Sequence, residues 1–128
     1  MIKSILAQNA ACNAVTRLID LGSIYPTGQL NIYDFTNIPL VQLNLSMPAF
    51  SDSTDGTAVS NFIADATAIY DGTATSFGIF NRDASTVWTG TVSDFSGNGD
   101  LRLNSLYIIK DSTVTITEMI YVVPSDWT

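Results

Sequence analysis

Apolar residues recur at two different periods along the chain, and the change falls near residue 25. From about Ala10 to Leu21, residues Ala10, Ala11, Ala14, Val15, Leu18 and Leu21 fall at helical spacing, with Ile19 widening the stripe. Asn9 is placed to cap this segment and Gly22 to stop it. The pattern predicts about three turns of helix with one apolar face. Such a face must lie on something, because a lone helix of that length is marginal in water.

After Tyr25-Pro-Thr-Gly28 the period becomes two. Leu30, Ile32 and Asp34 alternate with Asn31, Tyr33 and Phe35, and Val41, Leu43, Leu45 and Met47 alternate with Gln42, Asn44 and Ser46. Pro39 and Pro48 bracket the second run. Ser51-Asp-Ser-Thr-Asp-Gly56 reads as a turn, with Asp55-Gly56 suited to positive φ. Runs over 66–70 and 73–80 flank Asp71-Gly72, a pair that predicts a hairpin. Asn81-Arg-Asp-Ala84 turns the chain into a strand over 85–92, and 93–100 reads as a loop with a tight turn at Asn98-Gly99.

Short strands over 101–103 and 106–109 then lead through Lys110-Asp111 into a long final strand. Within it Thr113, Thr115 and Thr117 oppose Val114 and Ile116, yet beyond Glu118 the apolar Met119, Tyr121 and Val123 have swapped parity. A strict two-residue period cannot do this with one face dry, so a β-bulge is expected near Thr117–Glu118. The alternative keeps Ile120 and Val122 inward and covers the Tyr121 face with another chain.

Short strands at intervals of roughly ten residues predict an antiparallel β-sandwich, jelly-roll-like, with one N-terminal α-helix. Fifteen Thr and thirteen Ser against one Glu fit a mainly β fold. The 128 residues suffice for one domain, with 1–24 as arm and helix, 25–123 as sandwich and 124–128 as tail. The opening Met1-Ile-Lys-Ser-Ile-Leu-Ala-Gln-Asn9 is too short an apolar run for a signal peptide, and no stretch is apolar enough to span a bilayer. A cytosol-type compartment and no membrane partner are therefore expected.

Charge and residue content narrow the chemistry. Five Lys and Arg against twelve Asp and Glu give a net charge of -7, which disfavours nucleic acid as a partner. With no His there is no Ser-His-Asp triad, and a Gly-x-Ser-x-Gly elbow is missing as well. Gly97-Asn-Gly-Asp100 lacks the Gly-Lys-Ser/Thr of a phosphate loop. Cys12, alone in the chain, forms no intramolecular disulfide and reads as a buried inert thiol. Asp52, Asp55, Asp71, Asp83, Asp94, Asp100 and Asp111 sit in turns, where Asp is expected for backbone reasons. Glu118 is expected to be exposed.

Asp94-Phe-Ser-Gly-Asn-Gly99 opens like an EF-hand loop but has Ser105 where the closing Glu belongs, leaving at most a weak cation site there or at Asp52/Asp55. Trp88, Tyr33, Tyr70 and Tyr107 either make a sugar-stacking platform or pack in the core, and the core is the expectation. Trp127, near the end, is expected to cover an edge or a neighbouring subunit. No catalytic, cofactor-binding or metal-ligating residue is assigned, and no cofactor is expected.

Several stretches together carry a resemblance. They are Asn9-Ala-Ala-Cys-Asn-Ala-Val-Thr-Arg-Leu-Ile-Asp-Leu-Gly22, Gly28-Gln-Leu-Asn-Ile-Tyr-Asp34, Met47-Pro-Ala-Phe50 and Gly72-Thr-Ala-Thr-Ser-Phe-Gly-Ile-Phe80. Trp88-Thr-Gly-Thr-Val92, Asp100-Leu-Arg-Leu-Asn104 and Thr113-Val-Thr-Ile-Thr117 follow in order. Over about residues 9–122 the chain resembles small β-rich virion proteins of tailed bacteriophages and prophages. It departs from their pattern after the Tyr-Asp pair, where Phe35-Thr-Asn-Ile-Pro39 is shorter and more apolar.

The resemblance implies a non-enzymatic virion structural protein, foremost a capsid decoration or cement protein. Such a protein binds and stabilises the major capsid protein lattice on the outer capsid surface, after assembly in the host cytoplasm. It further implies a homo-oligomer, with a trimer favoured because decoration proteins commonly sit on local three-fold axes. A tail, collar or fibre-associated adaptor and a carbohydrate-binding β-sandwich module stand as alternatives.

Overall fold

A computed structural model of the chain describes residues 4–123. Its largest element is a five-stranded sheet in the order β2-β1-β6-β7-β8. The strands are β1 (Gln29–Tyr33), β2 (Pro39–Asn44), β6 (Ser76–Phe80), β7 (Thr86–Asp94) and β8 (Leu101–Leu103). Register explains why this sheet has one dry side. Leu30 lies opposite Leu43 and Ile79, and Ile32 opposite Val41 and Phe77. Ile79 and Phe77 in turn meet Trp88 and Gly90, and Val92 meets Leu101. Residues directly opposite share a face, so these side chains form one apolar surface, on which Leu30, Ile32, Val41, Leu43, Phe77 and Ile79 are buried. The other face carries Asn31, Tyr33, Gln42, Ser76, Thr89 and Thr91.

Three two-stranded ladders complete the β structure. β3 (Thr57–Val59) pairs with β11 (Ile120–Val122), β4 (Ala66–Thr67) with β10 (Thr113–Val114), and β5 (Gly72–Thr73) with β9 (Tyr107–Ile108). Trp88 of β7 links the sheet's dry face to this layer, its ring centroid 4.8 Å from Tyr121 and 5.8 Å from Phe50. One hydrophobic cluster runs from Cys12 to Val123. The chain is thus mainly β with one N-terminal helix, as the alternation predicts.

Several local expectations change. The Asp71-Gly72 hairpin does not form: β4 pairs with β10 and β5 with β9. Asp71 instead accepts the backbone N–H of Lys110, and the run over 73–80 breaks where Ala74 and Thr75 donate to Leu106 and Tyr33. The Asn81–Ala84 turn does join β6 to β7; Asn81 Oδ1 accepts the N–H of Asp83 and of Ser85, and Ala84 takes φ 61°. β8 joins β7 in parallel through the short 95–100 loop, whereas the other sheet pairs are antiparallel. So tight a return needs backbone without side chains, since a Cβ on Gly97 or Gly99 would come within 2.6 Å of Ser93.

The expected β-bulge in one long final strand does not form: the change of parity falls at a break between two ladders. Ile116 is buried on one side of it and Met119 and Val123 on the other, while Thr117, Glu118, Ile120 and Val122 are exposed. Residues 115–119 belong to neither β10 nor β11. Tyr121 turns inward onto Trp88, so the alternative with Ile120 and Val122 inward is not adopted.

The helix is the largest departure. It spans Ile5–Arg17, α1, and a 3-10 turn over Leu18–Asp20 follows. Ser4, not Asn9, is its N-cap, accepting the N–H of Ala7 at 3.1 Å. Asn9 lies within the helix, where its Oδ1 accepts the N–H of Gly56 at 2.8 Å; Asn13 Oδ1 accepts that of Ser53 at 2.9 Å. The Ser53 hydroxyl donates back to the Asn9 carbonyl. Cys12 and Thr16 are buried between these contacts, and Ala10, Ala14, Leu18 and Leu21 are exposed. Asn9, Cys12, Asn13 and Thr16 stand at i, i+3, i+4 and i+7, a second stripe on the side away from the alanines. The loop's unpaired N–H groups need acceptors, and this small polar stripe supplies them.

Replacing Asn9 or Asn13 by Ala is expected to cost about 1–3 kcal/mol in denaturant unfolding, since each leaves a loop N–H without its acceptor. Phe77→Ala, in the centre of the dry face, is expected to cost about 3–5 kcal/mol in the same assay.

Candidate functional site

The acidic turns are the first place to look for chemistry, and in them the carboxylates of Asp71, Asp83, Asp94 and Asp100 accept backbone N–H groups. Asp83 Oδ1 accepts the N–H of Ser23 and Ile24, Asp94 Oδ1 those of Ser96 and Gly97, and Asp100 Oδ2 that of Thr91. Asp55 and Asp111 hold positive φ in their turns. Asp52 pairs with Arg17 at 3.2 Å, both side chains well exposed. The EF-hand-like segment is therefore a loop folded on Asp94's own carboxylate. Among the described residues, no three Asp, Glu or Cys side chains gather as a metal site.

Two carboxyls depart from their ordinary behaviour. Asp34 is held below the usual carboxylate range, first by the Thr36 hydroxyl and then by the Ile38 N–H, both donating to Oδ1. Asp20 is pushed up by burial, against the Ala49 N–H and the Arg82 charge. Burial likewise raises the Cys12 thiol, which donates weakly to the Tyr121 carbonyl at 4.0 Å. A buried thiol with a raised pKa is a poor nucleophile, so Cys12 acts as packing.

The four aromatic residues do not form one platform. Trp88 lies on the dry face of the sheet against Phe50 and Tyr121, whereas Tyr33 belongs to the opposite face, in register with Ser76. Tyr107 is exposed on β9. Tyr70 lines an open hollow of about 670 Å³ with Asp34, Ile38, Pro39, Asp71 and Lys110. A second hollow, of about 360 Å³, lies between α1 and residues 48–52 and contains Asp20, Arg17 and Asp52. In both, the carboxylates already cap backbone or pair with Arg17, and neither holds a nucleophile beside a base. The packing of Trp127 lies outside the described residues.

The exterior has a pattern of its own. The outer face of the five-stranded sheet is almost uncharged and mostly polar, with Phe80 opposite Gln29 and Arg102 at its β8 end. In its middle the Asn31 amide donates to the Tyr33 hydroxyl at 3.3 Å, while Asn31 Oδ1 is covered and has no partner. Large apolar side chains stand out elsewhere: Leu6 and Phe35 are each 82% exposed and Phe62 75%. Single exposed apolar residues are ordinary, but grouped ones mark contact surfaces. The alternation in β1 and β2 foreshadowed the polar face; nothing in the sequence period foreshadowed the outward turn of Ala10 and Ala14.

The two shifted carboxyls give opposite pH responses. A lowered folded-state pKa contributes stability above the ordinary Asp value and loses it as pH falls through the folded value. Asp34→Ala should therefore lower the melting temperature at pH 7, with the difference closing toward pH 2. A raised value does the reverse: its contribution is present in acid and lost as pH rises through the folded value. Asp20→Asn keeps an acceptor for Ala49, so it should raise the melting temperature at pH 7 and leave it unchanged in acid.

Compared with models of known protein families, with curated proteins and with solved structures, the chain gives no match. Among the described residues, no helix is long and apolar enough to cross a membrane.

Proposed function

We propose that this chain is a bacteriophage virion structural protein of the capsid-decoration kind, docking to the major capsid protein lattice and stabilising it. The observation that carries this reading is the division of labour among polar groups. Asp71, Asp83, Asp94 and Asp100 serve the backbone, and the extended outer sheet face offers Asn, Gln, Ser, Thr and Tyr side chains around Phe80 with almost no charge. A face of that composition suits a wet interface, because uncharged polar groups are inexpensive to desolvate partly and pair readily through water. Exposed apolar side chains such as Phe35 supply anchors at its margins. Repetition on a symmetric shell turns modest single contacts into firm attachment. The net charge of -7 keeps free copies apart and away from the packaged nucleic acid. The sequence resemblance to phage virion proteins supports the same reading, and association into a homo-oligomer belongs to it.

The test is made on particles. Removing this protein should lower the temperature or osmotic stress at which particles release their genome. Its copy number should run to hundreds per particle. Unaltered particle stability contradicts the proposal, and six or twelve copies would move the protein to the tail or neck.

A further inference from the structure

The larger of the two hollows stands where three turns meet. Residues 34–39 run between β1 and β2, residues 68–71 lead into β5, and residues 109–111 follow β9. Backbone hydrogen bonds tie these segments together. The Ile69 N–H donates to the Leu40 carbonyl at 2.7 Å, and the Asp111 N–H to that of Ala68 at 2.9 Å. The Lys110 N–H donates to Asp71 Oδ1. Gly72 permits a close approach, since a Cβ there would lie 2.8 Å from Leu40 Cδ2 and 3.7 Å from Asp34 Cβ. The Asp71-Gly72 segment is thereby held against Asp34, beside a hollow of about 670 Å³. That size is within the ~300–1,000 Å³ of small-molecule pockets.

Its lining joins an apolar wall to polar groups that are fixed in place and still have capacity. Ile38, Pro39 and Tyr70 are exposed and make up the wall. Asp34 Oδ1 receives the Thr36 N–H and hydroxyl and the Ile38 N–H, which leaves Oδ2. Asp71 is likewise fastened through Oδ1. Among the described residues, no hydrogen bond engages Asp34 Oδ2, Asp71 Oδ2, the Tyr70 hydroxyl or the Lys110 ammonium. Two carboxylate acceptors, one ammonium donor and one hydroxyl thus border an aromatic and aliphatic surface.

This set selects a class of ligand. An anion would meet two carboxylates against a single ammonium, with Asp111 next in the chain. A metal ion would find two carboxylates, and among the described residues no third ligating side chain joins them. An organic cation would be opposed by Lys110, and a plain hydrocarbon would leave every polar group unused. A neutral saccharide ring answers the whole set. Its C–H face lies flat on an aromatic ring, while its hydroxyls donate to carboxylates and accept from an ammonium.

We infer that the hollow bounded by Asp34, Tyr70, Asp71 and Lys110 is a binding site for a neutral saccharide, stacked on Tyr70. The site is separate from Trp88, which packs on the dry face of the sheet, and it does not rest on the virion reading.

Titration of the isotope-labelled full chain, followed by its amide NMR shifts, tests it. The probes are the methyl glycosides of glucose, galactose, mannose and N-acetylglucosamine, with choline and inorganic phosphate as charged controls. At least one neutral glycoside should give saturable shifts confined to residues 34–39, 69–72 and 109–111. Tyr70→Ala should weaken that binding about tenfold by removing the ring, and Tyr70→Phe should weaken it less. Asp71→Asn keeps an acceptor for the Lys110 N–H and should weaken binding as well. Tyr107→Ala, exposed on β9 and outside the lining, should leave it unchanged. Lys110→Ala, at an exposed side chain, should also weaken binding and decides the matter if Tyr70→Ala disturbs the fold. Absence of saturable shifts with every neutral glycoside up to about 100 mM overturns the inference. So do shifts centred elsewhere, an affinity indifferent to Tyr70→Ala in a folded chain, or tighter binding of choline or phosphate.

Discussion

The five-stranded sheet has a single dry face, and burying that face is the constraint that organises the rest of the chain. Leu30, Ile32, Val41, Leu43, Phe77 and Ile79 cannot face water together, and the described residues form no second long sheet to lay over them. Cover comes from three two-stranded ladders and a helix, fastened by Trp88 against Tyr121 and Phe50. A patched layer of this kind leaves many ends to be satisfied. The Asp and Asn side chains of the turns do this work, which is why so many acids sit where no chemistry gathers. Asp83 alone holds the N–H groups of Ser23 and Ile24, far away in sequence.

The same constraint decides which way the helix faces. The 51–56 loop brings the N–H groups of Ser53 and Gly56 to α1, and amide oxygens from Asn9 and Asn13 receive them. Gly56 comes so near the helix that a Cβ there would lie 2.9 Å from Gln8 Oε1. A polar, small-residue stripe turns inward as a result, and Leu6, Ala10, Ala14 and Leu18 turn outward. Hydrogen-bond satisfaction here offsets the exposure of Leu6 and Leu18, because an unpaired buried N–H costs about as much as burying a side chain gains. The apolar stripe that fails to serve the core is left exposed.

Much of the fold was legible in the residues. Alternation in 30–33 and 41–45 marked the two strands and their inward residues, Asn81–Ala84 marked the β6–β7 turn, and the parity of Ile116 against Met119 marked the break in the final segment. Pairing partners were less so. Asp71-Gly72 has the composition of a hairpin turn, yet Asp71 is used to hold Lys110, a contact that local sequence does not encode. The helix start was missed because Ser4 caps a segment whose first apolar residues, Ile5 and Leu6, do not continue an inward stripe. The helix's orientation was encoded, in Asn9, Cys12, Asn13 and Thr16, but a period search weighted by hydrophobicity passes over a polar stripe. Of the surfaces, the polar outer face followed from the strand pattern, while the outward α1 ridge required the fold.

We propose that this molecule keeps its chemistry-bearing side chains for internal support, with the polar stripe of α1 turned inward and Ala10 and Ala14 outward. Thiol reactivity at single positions along α1, measured at dilutions where copies do not associate, tests this most directly. Cys12 in the native chain should react with a thiol reagent only at the rate of local unfolding, and a cysteine placed by Ala10→Cys should react at once. Fast modification of Cys12 together with a protected position 10 would mean that the alanine stripe faces the core, and would contradict the account.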